Sequence, residues 1–353
     1  MNGITRPTKD PLIKKAATIT DVAKKAGVSI ATVSFVMNER SGQSISGEVR
    51  ARVQRATQLL NYHPNAAATD LARKRTNNVA IIFYKEENLI ANQFYSFVVQ
   101  GAIKQAIESE YNVLFSYMDA TYEGVRDLPK IIREKNAQGA VFIRRIQPQL
   151  LKDILARGIP VVAIDHYPAY RQVNSLQIDN RSGGILAAEH LIELGHKRLA
   201  FLRAAGGYPS IAERGKGFAL GLERHGIDGT ESVIECRSLN FESGYESAKQ
   251  LLRSKRHPTA LFCSNDEMAT GVLRATRERG ARVPEDLSVV GFDDISMSYF
   301  TDPPLTTVSV VKEQLGRRAM SRLIELLEGG DDAVKHETLA VQLVVRGSTA
   351  PRK

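Results

Sequence analysis

The stretch TDVAKKAGVSIATVSFVMN, residues 20–38, decides how the amino-terminal part of this chain folds. Thr20 is placed to N-cap a helix that runs through Ala26, Gly27 supplies a turn, and Ser29 can cap a second helix that reaches Asn38. Apolar positions at three- and four-residue spacings let the two helices pack across one another; they are Val22, Ala23, Ala26, Val28, Val33 and Val36. The pattern predicts a helix-turn-helix, and a plain surface hairpin of two helices is the alternative.

The positive charge of the chain is concentrated at the same end. The 353 residues carry 48 Lys and Arg against 39 Asp and Glu, a net charge of +9. Residues 1–76 hold 13 basic and 5 acidic residues, which leaves 35 and 34 for the remainder. A basic end on a nearly neutral body is typical of a nucleic-acid-binding segment joined to a larger domain. A merely solvated basic tail is the alternative.

The outward face of the second helix carries small hydroxyl and apolar side chains, namely Ser29, Ile30, Ala31, Thr32, Ser34 and Phe35. Hydroxyl groups near a helix N-terminus suit phosphate contacts, and apolar groups can meet thymine methyl groups. We therefore expect this helix to enter the major groove of duplex DNA. The expected phosphate contacts, which set register rather than sequence, are Ser29, Thr32, Ser34 and Asn38, and Thr20 is a further candidate DNA contact.

Two more helical patterns follow. Ser46 can cap a helix that reaches Leu60, with an apolar face of Val49, Val53, Ala56, Leu59 and Leu60. The segment before Pro64 ends it, because the residue before proline resists helical angles. Asn65 then caps a short alanine-rich segment that closes at Lys74. A helix of this length is marginal alone in water, so we expect it to need DNA or a partner chain.

From Asn77 onward, short apolar strands alternate with amphipathic helices. This alternation predicts parallel sheets with helices on both faces, and ligands of such sheets bind beyond the carboxyl ends of the strands. The predicted strands are 79–83, 112–117, 139–143, 160–165, 198–202, 232–236, 259–266 and 288–294. The predicted helices include 94–110, 183–194, 211–224, 244–252 and 267–279.

Composition excludes several classes of protein. With 43% hydrophobic and 25% charged residues, the chain is expected to be globular, with two or three domains. Cys236 and Cys263 lie in apolar, strand-like surroundings, which indicates buried thiols rather than a disulfide framework. No apolar run approaches the length of a membrane span and no signal peptide is recognisable. We therefore expect a cytoplasmic protein with no membrane partner.

Two other functions compete with DNA binding. An enzyme is weakly supported, because Gly215, Gly217 and Gly221 miss the dinucleotide-binding spacing by one residue and lie in a helical pattern. No nucleophile elbow, P-loop or zinc-protease motif is present. A secreted sugar-binding protein would need a signal peptide and would have no use for a helix-turn-helix. We therefore expect neither a catalytic residue nor a cofactor.

One hypothesis is a metal site formed by His190, Glu193 and His196. Gly195 ends the helix that carries the first two, so His196 would leave the face that they share. We expect His196 to lie on a surface at the helix end and predict no metal.

Seven segments in order make the chain closely similar to the lactose-repressor/galactose-repressor family of bacterial transcription regulators. They are TDVAKKAGVSIATVS (20–34), NYHPN (61–65), IDNRSGG (178–184), HLIELGHKRLAFL (190–202), SNDEMATGVLRA (264–275), VPEDLSVVGFDD (283–294) and PPLTTV (303–308). The resemblance covers residues 18–351. It implies an all-α helix-turn-helix headpiece, and an α/β effector domain of two lobes that resembles the type I periplasmic binding proteins, with three crossing segments between the lobes.

The resemblance also implies where the domains begin and end. Residues 1–17 would be a basic N-terminal arm, 18–63 the DNA-binding headpiece, 64–76 the hinge helix and linker, and 77–350 the effector-binding and dimerisation domain. One lobe is expected near 78–175 plus 309–335, and the other near 176–308 plus 336–350. A regulator of this kind would lie in the bacterial cytoplasm, at the nucleoid.

Regulators of this family read base edges from the second helix. The resemblance implies this role for Ile30, Ala31 and Phe35. The family often has a polar or basic residue at the last of these positions, so Phe35 is a departure that removes a hydrogen-bonding reader. The operator sequence therefore does not carry over by analogy. Packing of Phe35 towards the interior is the alternative.

The hinge segment is implied to contact DNA through Asn65, Ala68 and Leu71. Leu71 matches the family's hinge leucine, which wedges between central base pairs from the minor groove together with its twin. Such a wedge unstacks a base step and bends the duplex. A simple dimer contact by this segment is the alternative.

A ligand cleft between the lobes is implied at the strand ends that parallel-sheet logic also selects. The candidate effector-binding residues are Phe94, Tyr95, Asp165, Arg214, Phe241, Asn265 and Asp293. Aromatic faces beside Asp, Asn and Arg suit a sugar, because ring C–H faces stack while hydroxyl pairs take bidentate hydrogen bonds. Arg144 and Arg145 would favour an acidic or phosphorylated ligand if they faced the cleft, although solvated or paired arginines are the alternative.

The implied mechanism is an effector that changes how a homodimer holds double-stranded, pseudo-palindromic operator DNA. Both induction and co-repression occur in the family, and the sequence leaves both open. No leucine heptads follow the last strand-like run at 339–347, so we expect a dimer without the tetramerisation tail of some relatives.

Overall fold

The computed structural model describes residues 17–37, 45–63, 76–84, 92–119, 121–144, 146–165, 172–228, 233–254 and 257–352. The chain divides into two compact units, Met1–Thr76 and Asn77–Lys353. No helix within these ranges is long and apolar enough to cross a membrane. Several predicted positions lie outside the described residues: most of the basic arm, Asn38, Asn65, Ala68, Leu71 and Arg145.

The first unit contains the two predicted helices and the third one that follows them. They are α1 (Ile19–Ala26), α2 (Ile30–Met37) and α3 (Gly47–Leu59). Their shared core is small and apolar, and consists of Val22, Ala23, Ala26, Val33, Val36, Val53 and Ala56. Val28 packs against this core from a half-buried position. The turn residue Gly27 has φ 66°, in the left-handed region that favours glycine.

The start of α1 differs from the prediction. Thr18, not Thr20, is the N-cap, because its hydroxyl accepts from the backbone N–H of Asp21 at 3.3 Å while the Asp21 carboxylate accepts from the Thr18 N–H at 2.9 Å. This reciprocal pair is a capping box. Thr20 is an exposed residue of the first turn. The sequence signal for Thr18 as the cap is Asp21, an acidic residue three positions after it.

The caps predicted for the other two helices are confirmed. Ser29 accepts from the Thr32 backbone N–H at 3.1 Å, and Ser46 accepts from that of Val49 at 3.4 Å. One residue of the predicted apolar face of α3 is misplaced, since Leu59 is 74% exposed. It is the last helical residue, and the core of α3 reaches only Val53 and Ala56.

The second unit contains two sheets. The first is built from β1 (Asn78–Tyr84), β2 (Asn112–Met118), β3 (Ala140–Ile143), β4 (Val161–Ile164), β5 (Asn174–Ile178) and β11 (His336–Leu339). Its strand order is β11-β5-β4-β3-β1-β2, and all neighbours run parallel. The central strands β1, β3 and β4 are almost wholly apolar, as expected for a sheet with helices on both faces.

The second sheet is built from β6 (Leu199–Ala204), β7 (Val233–Cys236), β8 (Ala260–Cys263), β9 (Ser288–Asp293), β10 (Thr306–Val310) and β12 (Val341–Val344). Its order is β12-β10-β9-β8-β6-β7. The edge strand β12 pairs antiparallel with β10, and the other neighbours are parallel. The prediction of two parallel-rich lobes beside a helical headpiece is thus confirmed.

Helices connect successive strands of both sheets. Around the first sheet lie α4 (Gln93–Glu108), α5 (Lys130–Arg133), α6 (Pro148–Leu155) and α12 (Lys312–Leu327). The second sheet carries α7 (Asn180–Glu193), α8 (Pro209–Arg224), α9 (Phe241–Leu251), α10 (Asp266–Glu278) and α11 (Ser296–Phe300). The five helices named from the sequence are present within a few residues of their predicted bounds.

The chain crosses between the sheets three times, and each crossing is one residue long. Asp179 separates β5 from α7, Val311 separates β10 from α12, and Ala340 separates β11 from β12. The boundary expected between 175 and 176 falls inside β5, and the one expected between 335 and 336 directly precedes β11. Since β5 and β11 pair with each other in the first sheet, both belong with that lobe.

His196 is buried, so its predicted surface position is wrong. Its ring nitrogens lie 3.0 Å from the hydroxyls of Thr259 and Ser288, and 3.2 Å from the Ala350 carbonyl on Nε2. Burial lowers the pKa of His196, which favours its neutral form. Its hydrogen bonds tie the C-terminal segment to the second sheet. The prediction of buried thiols is confirmed for Cys236 and Cys263.

Candidate functional site

A cavity of about 580 Å³ opens between the carboxyl ends of the two sheets. The structure brings all seven predicted effector-binding residues to its wall, namely Phe94, Tyr95, Asp165, Arg214, Phe241, Asn265 and Asp293. The wall also includes Arg144, which the sequence left open between a ligand contact and a solvated or paired arginine. The other wall residues were not singled out as ligands from the sequence: Asn92, Ile178, Tyr208, Ser210, Ile211, Ser238, Leu239, Asn240 and Glu267. A volume of this size suits a small organic ligand.

One end of the cavity is aromatic. Phe94 and Tyr95, in the first turn of α4, meet edge to face with ring centroids 4.9 Å apart. The Tyr95 hydroxyl donates to Asp165, directly after β4, at 3.0 Å. The Arg144 guanidinium lies 5.5 Å from the Tyr95 ring centroid and 4.4 Å from that of Tyr208. Apolar faces therefore lie beside charged groups here, as in many small-molecule sites.

Arg214, on α8, anchors the opposite wall. Its Nε donates to Asn180 at 2.8 Å, one terminal nitrogen donates to the Ser264 carbonyl, and the other reaches Asp293 at 3.4 Å. Its guanidinium also stacks over Phe292, with 3.6 Å to the ring centroid. Because Arg214 is only 6% exposed, these contacts fix its orientation before any ligand arrives.

Asp293 ends β9 beside this arginine, and burial raises its pKa to about 6 although Arg214 and Lys312 oppose the shift. The Lys312 ammonium donates to the backbone carbonyls of Asp293, Asp294 and Val310. A carboxylate held between two cations at a strand end is well placed to accept a pair of hydroxyl hydrogens.

The strand ends are strained at the cavity. Arg144, Asp165 and Asp293 have φ values of 75°, 55° and 103°, which non-glycine residues adopt at a cost of about 1–2 kcal/mol each. Neither Asp165 nor Asp293 caps a helix in the described part of the chain. Strain at positions without a capping role is typical of a functional site.

Phe241 and Asn265 occupy helix starts. Asn265 caps α10 by accepting from the Met268 N–H at 2.9 Å, and its amide donates to the Leu239 carbonyl at 3.3 Å. Phe241 is the first residue of α9 and is 39% exposed. An exposed phenylalanine on a cavity wall offers a stacking face that a core residue would not.

Some of these other wall residues carry a signal that the sequence does contain. Arg144 directly follows β3 and so obeys the same strand-end rule that selected Asp165 and Asp293. Glu267 follows Asn265 by two residues at the start of α10. Tyr208, the N-cap of α8, sits in a loop after β6, and its place in the cavity depends on how that loop folds.

The candidate DNA-binding face lies on α2. Ile30 is 48% exposed and Ala31 is exposed. The hydroxyls of Ser29 and Thr32 lie 2.9 Å apart at the start of the helix. Phe35 is half-buried, yet the half-buried side chains that pack against the headpiece core are Ile19, Val28, Met37, Ile45, Leu60 and Tyr62. Phe35 is not in that set of described residues, and its direction stays a prediction.

Two family patterns match this chain. Residues 18–65 match the bacterial regulatory proteins of the lacI family, and residues 188–349 match the periplasmic binding protein-like domain. The first range covers the helical headpiece, and the second covers most of the lobe built on the second sheet.

Curated relatives span nearly the whole chain. The transcriptional regulator DegA of Bacillus subtilis is 33% identical over 338 residues, which are 95% of this chain and 98% of that protein. The transcriptional repressor PurR of Vibrio atlanticus is 31% identical over 334 residues, which are 94% and 98%. Both relatives are named as regulators of transcription rather than as enzymes.

Solved structures agree over the same length. The lac repressor dimer bound to operator and an anti-inducer is 30% identical with a TM-score of 0.83, and the match covers 95% of this chain and 100% of that one. A complex of the transcriptional regulator CelR with cellobiose is 28% identical with a TM-score of 0.67, covering 94% and 99%. On sequence and on fold, the chain belongs to the lacI family of bacterial transcription regulators.

Proposed function

We propose that the protein represses transcription by binding a pseudo-palindromic operator as a homodimer, under the control of a sugar or sugar derivative held in the cavity between the sheets. The observation that carries this proposal is the meeting of all seven predicted effector residues on one cavity wall. A regulator of transcription acts at the DNA, so the proposal includes a location in the cytoplasm, at the nucleoid.

On the DNA side, α2 supplies the reading surface. Ile30 and Ala31 are exposed at its start and meet base edges, Phe35 follows one turn later, and the hydroxyls of Ser29, Thr32 and Ser34 meet phosphates. Because this surface is mostly apolar, it favours contacts with thymine methyl groups over bidentate hydrogen bonds. The basic excess of residues 1–76 adds sequence-independent affinity.

The proposal for the hinge rests on the resemblance alone. Asn65, Ala68 and Leu71 contact the minor groove, and Leu71 of each subunit wedges into the central base step. The deformation that such a wedge imposes would make the central step of the operator a determinant of affinity.

On the effector side, Arg214 and Asp293 bind neighbouring hydroxyls while Phe241, Phe94 and Tyr95 stack on the ring. A ligand that bridges the two lobes changes the angle between them, and the chain continues from the hinge segment directly into β1. A coupling free energy of about 1–3 kcal/mol would change operator affinity by about 5- to 150-fold.

A mobility-shift titration tests both halves of the proposal. Any pseudo-palindromic DNA taken from the flanks of the protein's own gene is compared with random duplex of equal length at fixed salt, with and without candidate sugars. We expect preferential binding to one flank, and a change in its dissociation constant on addition of a sugar.

The variant Asp293→Asn provides the site-specific arm. It keeps the size of the side chain but removes the charge that faces Arg214, so we expect a weaker sugar response. Equal binding to flank and random DNA would reject the role as a sequence-specific regulator. A sugar response of undiminished size in Asp293→Asn would reject this cavity as its source.

A further inference from the structure

Arg144 enters the cavity because of where β3 ends. Ile143 pairs with Ile164 of β4, so Arg144 comes next to Asp165 at the carboxyl edge of the sheet. The Arg144 N–H donates to the Ile164 carbonyl at 2.7 Å, and φ is 75°. This left-handed conformation costs about 1–2 kcal/mol for a side chain other than glycine, which favours a functional reason for the residue.

The Arg144 side chain lies between aromatic groups from both lobes. Tyr95 belongs to α4 over the first sheet and Tyr208 caps α8 over the second, and the guanidinium lies over both rings. Both rings lie within cation–π distance of the guanidinium. Its N–H groups lie in its plane, the direction from which a carboxylate is bound through two parallel hydrogen bonds.

The second arginine of the cavity plays a different part. Arg214 is buried and its three nitrogens are committed to Asn180, Ser264 and Asp293, so the adjacent carboxylate balances its charge. Arg144 is half-buried and stands at the aromatic end. The two ends of the cavity therefore differ in chemistry, with a hydroxyl-binding pair at one and a stacked cation at the other.

The charges on the wall limit what anion can enter. Asp165 and Asp293 disfavour a doubly charged group such as phosphate, by like-charge repulsion. Burial, with help from Asp293 and Glu242, raises the pKa of Glu267 to about 7, so near neutral pH this carboxyl repels a ligand only in part. A single negative charge beside Arg144 is the best match.

We propose that the effector is a sugar acid whose carboxylate is bound by Arg144 between Tyr95 and Tyr208, while its hydroxyls reach Arg214 and Asp293. This inference rests on the proposed function and narrows its ligand class. The cavity volume of about 580 Å³ accommodates a hexuronate or an aldonate.

Calorimetric titration of the full-length protein tests the proposal with matched ligands. One series is glucose, glucuronate, gluconate and glucose 6-phosphate, and the other is galactose, galacturonate and galactose 6-phosphate. A charged hydrogen-bonded pair is worth about 1.5–3 kcal/mol, so we expect an acid to bind about 10- to 100-fold more tightly than its neutral partner.

The variant Arg144→Gln should remove that preference by lowering affinity for the acid far more than for the neutral sugar. Arg224→Gln is the matched control, because it removes an arginine charge from an exposed ion pair with Glu189 on the outside of α8. The preference for the acid should survive in this control. Loss of acid and neutral binding by equal factors in Arg144→Gln would contradict the proposal.

The other outcomes separate this inference from the proposed function. Neutral sugars that bind as tightly as acids and alter operator affinity would reject the carboxylate role alone. Tighter binding of the 6-phosphates than of the acids would assign Arg144 to phosphate instead and would also overturn it. Binding of no member of either series would reject both the sugar acid and the sugar effector.

Discussion

Asp266 is a fully buried carboxyl one residue after Asn265 of the cavity wall. One of its oxygens accepts from the Ile295 N–H at 2.9 Å and the Ser298 hydroxyl at 2.6 Å, and the other accepts from the Thr307 hydroxyl at 2.5 Å. It thus ties the start of α10 to the segment after β9 and to β10. A buried acid at this junction makes the fold of the second lobe sensitive to protons.

Asp266→Asn should change how stability depends on pH. Burial, with the nearby Asp293 charge, raises the Asp266 pKa to about 7, so the folded state holds this proton to higher pH than the unfolded chain does. The contribution of this group to the free energy of unfolding is greatest below about pH 4 and falls as the pH rises to about 7. The Asp266→Asn variant has no titrating group at this position, so its free energy of unfolding does not fall for this reason. The difference between its melting temperature and that of wild type should therefore rise by several degrees from pH 5 to pH 8.

Asparagine preserves the geometry that the comparison needs. Its amide oxygen can accept from Ile295 and Ser298, while its NH₂ donates to the Thr307 hydroxyl. Asp302→Asn, at an exposed site paired with Arg277, is the control for loss of a carboxyl. If wild type and Asp266→Asn show parallel melting temperatures across this pH range, the assignment is wrong.

Prediction from sequence worked for residues whose position follows from the chain locally. Asp165, Asn265 and Asp293 were predicted because each lies at the carboxyl end of a predicted strand and the family resemblance selects the same positions. The same rule selects Arg144, but the adjacent Arg145 made a solvated pair an equally simple interpretation. Tyr208 was missed because it reaches the cavity from a loop, and a loop conformation depends on contacts that no local pattern encodes.

At the scale of elements, three helix pairs pack backbone against backbone at glycines. A Cβ on Gly316 of α12 would lie 1.8 Å from the Val98 carbonyl oxygen of α4, and one on Gly217 of α8 would lie 1.9 Å from that of Arg181 on α7. A Cβ on Gly271 of α10 would lie 2.1 Å from the Phe241 oxygen on α9. The glycines of α8 therefore have a packing role, which explains the near miss to a dinucleotide-binding pattern.

Gly217→Ala should separate α7 from α8. The added carbon cannot fit against the Arg181 backbone, and overpacking of this kind costs about 1–3 kcal/mol, which outweighs the gain of up to about 1 kcal/mol in helix propensity. Because Arg214 lies one turn away and bonds to Asn180 on α7, effector affinity should fall as well. Denaturant unfolding and ligand titration measure the two effects.

Gly215→Ala is the graded control on the same helix. Its Cβ would meet only the Phe201 ring, at 3.1 Å, so a side chain has to yield by a few tenths of an ångström. The loss of stability should be smaller than in Gly217→Ala. Equal losses would show that the α7–α8 contact is not the cause.

The elements themselves were largely predictable. Eight strands were named from apolar runs and are present, and the strand-like run at 339–347 contains β12, while β5, β10 and β11 were missed. The sequences NSLQI of β5, TTVSV of β10 and HETL of β11 mix polar and apolar residues. Strands without a clear apolar pattern are specified by their neighbours in the sheet rather than by their own sequence.

At the scale of the whole effector domain, two hydrogen bonds from the start of α4 join the lobes beside the cavity, in addition to those that Lys312 of α12 donates to the Asp293 and Asp294 carbonyls. The Asn92 amide donates to Glu267 at 3.2 Å, and the Gln93 side-chain oxygen accepts from the Ser296 N–H at 3.0 Å. Both link the start of α4 to helices over the second sheet. These contacts stabilise the arrangement of the lobes in this structure.

Gln93→Ala should shift the ligand-free protein towards a more open arrangement. Loss of one such hydrogen bond is worth about 0.5–1.5 kcal/mol, which changes a two-state population by about 2- to 12-fold. Small-angle scattering should report a larger radius of gyration without effector, and a smaller difference from wild type with effector bound. Gln105→Ala, whose amide contacts Ser109 near the end of the same helix, should match wild type, and an unchanged radius in Gln93→Ala would contradict the prediction.

The three one-residue crossings leave the effector domain very few degrees of freedom. Each crossing is a single residue that links a strand of one lobe to an element of the other; the three are Asp179, Val311 and Ala340. Because these links are so short, neither lobe can slide past the other or move away from it. What remains is a limited turn in which all three backbones rotate together. An occupant of the cavity therefore acts on a pivot, and small changes in its shape become changes in angle at the far ends of both lobes.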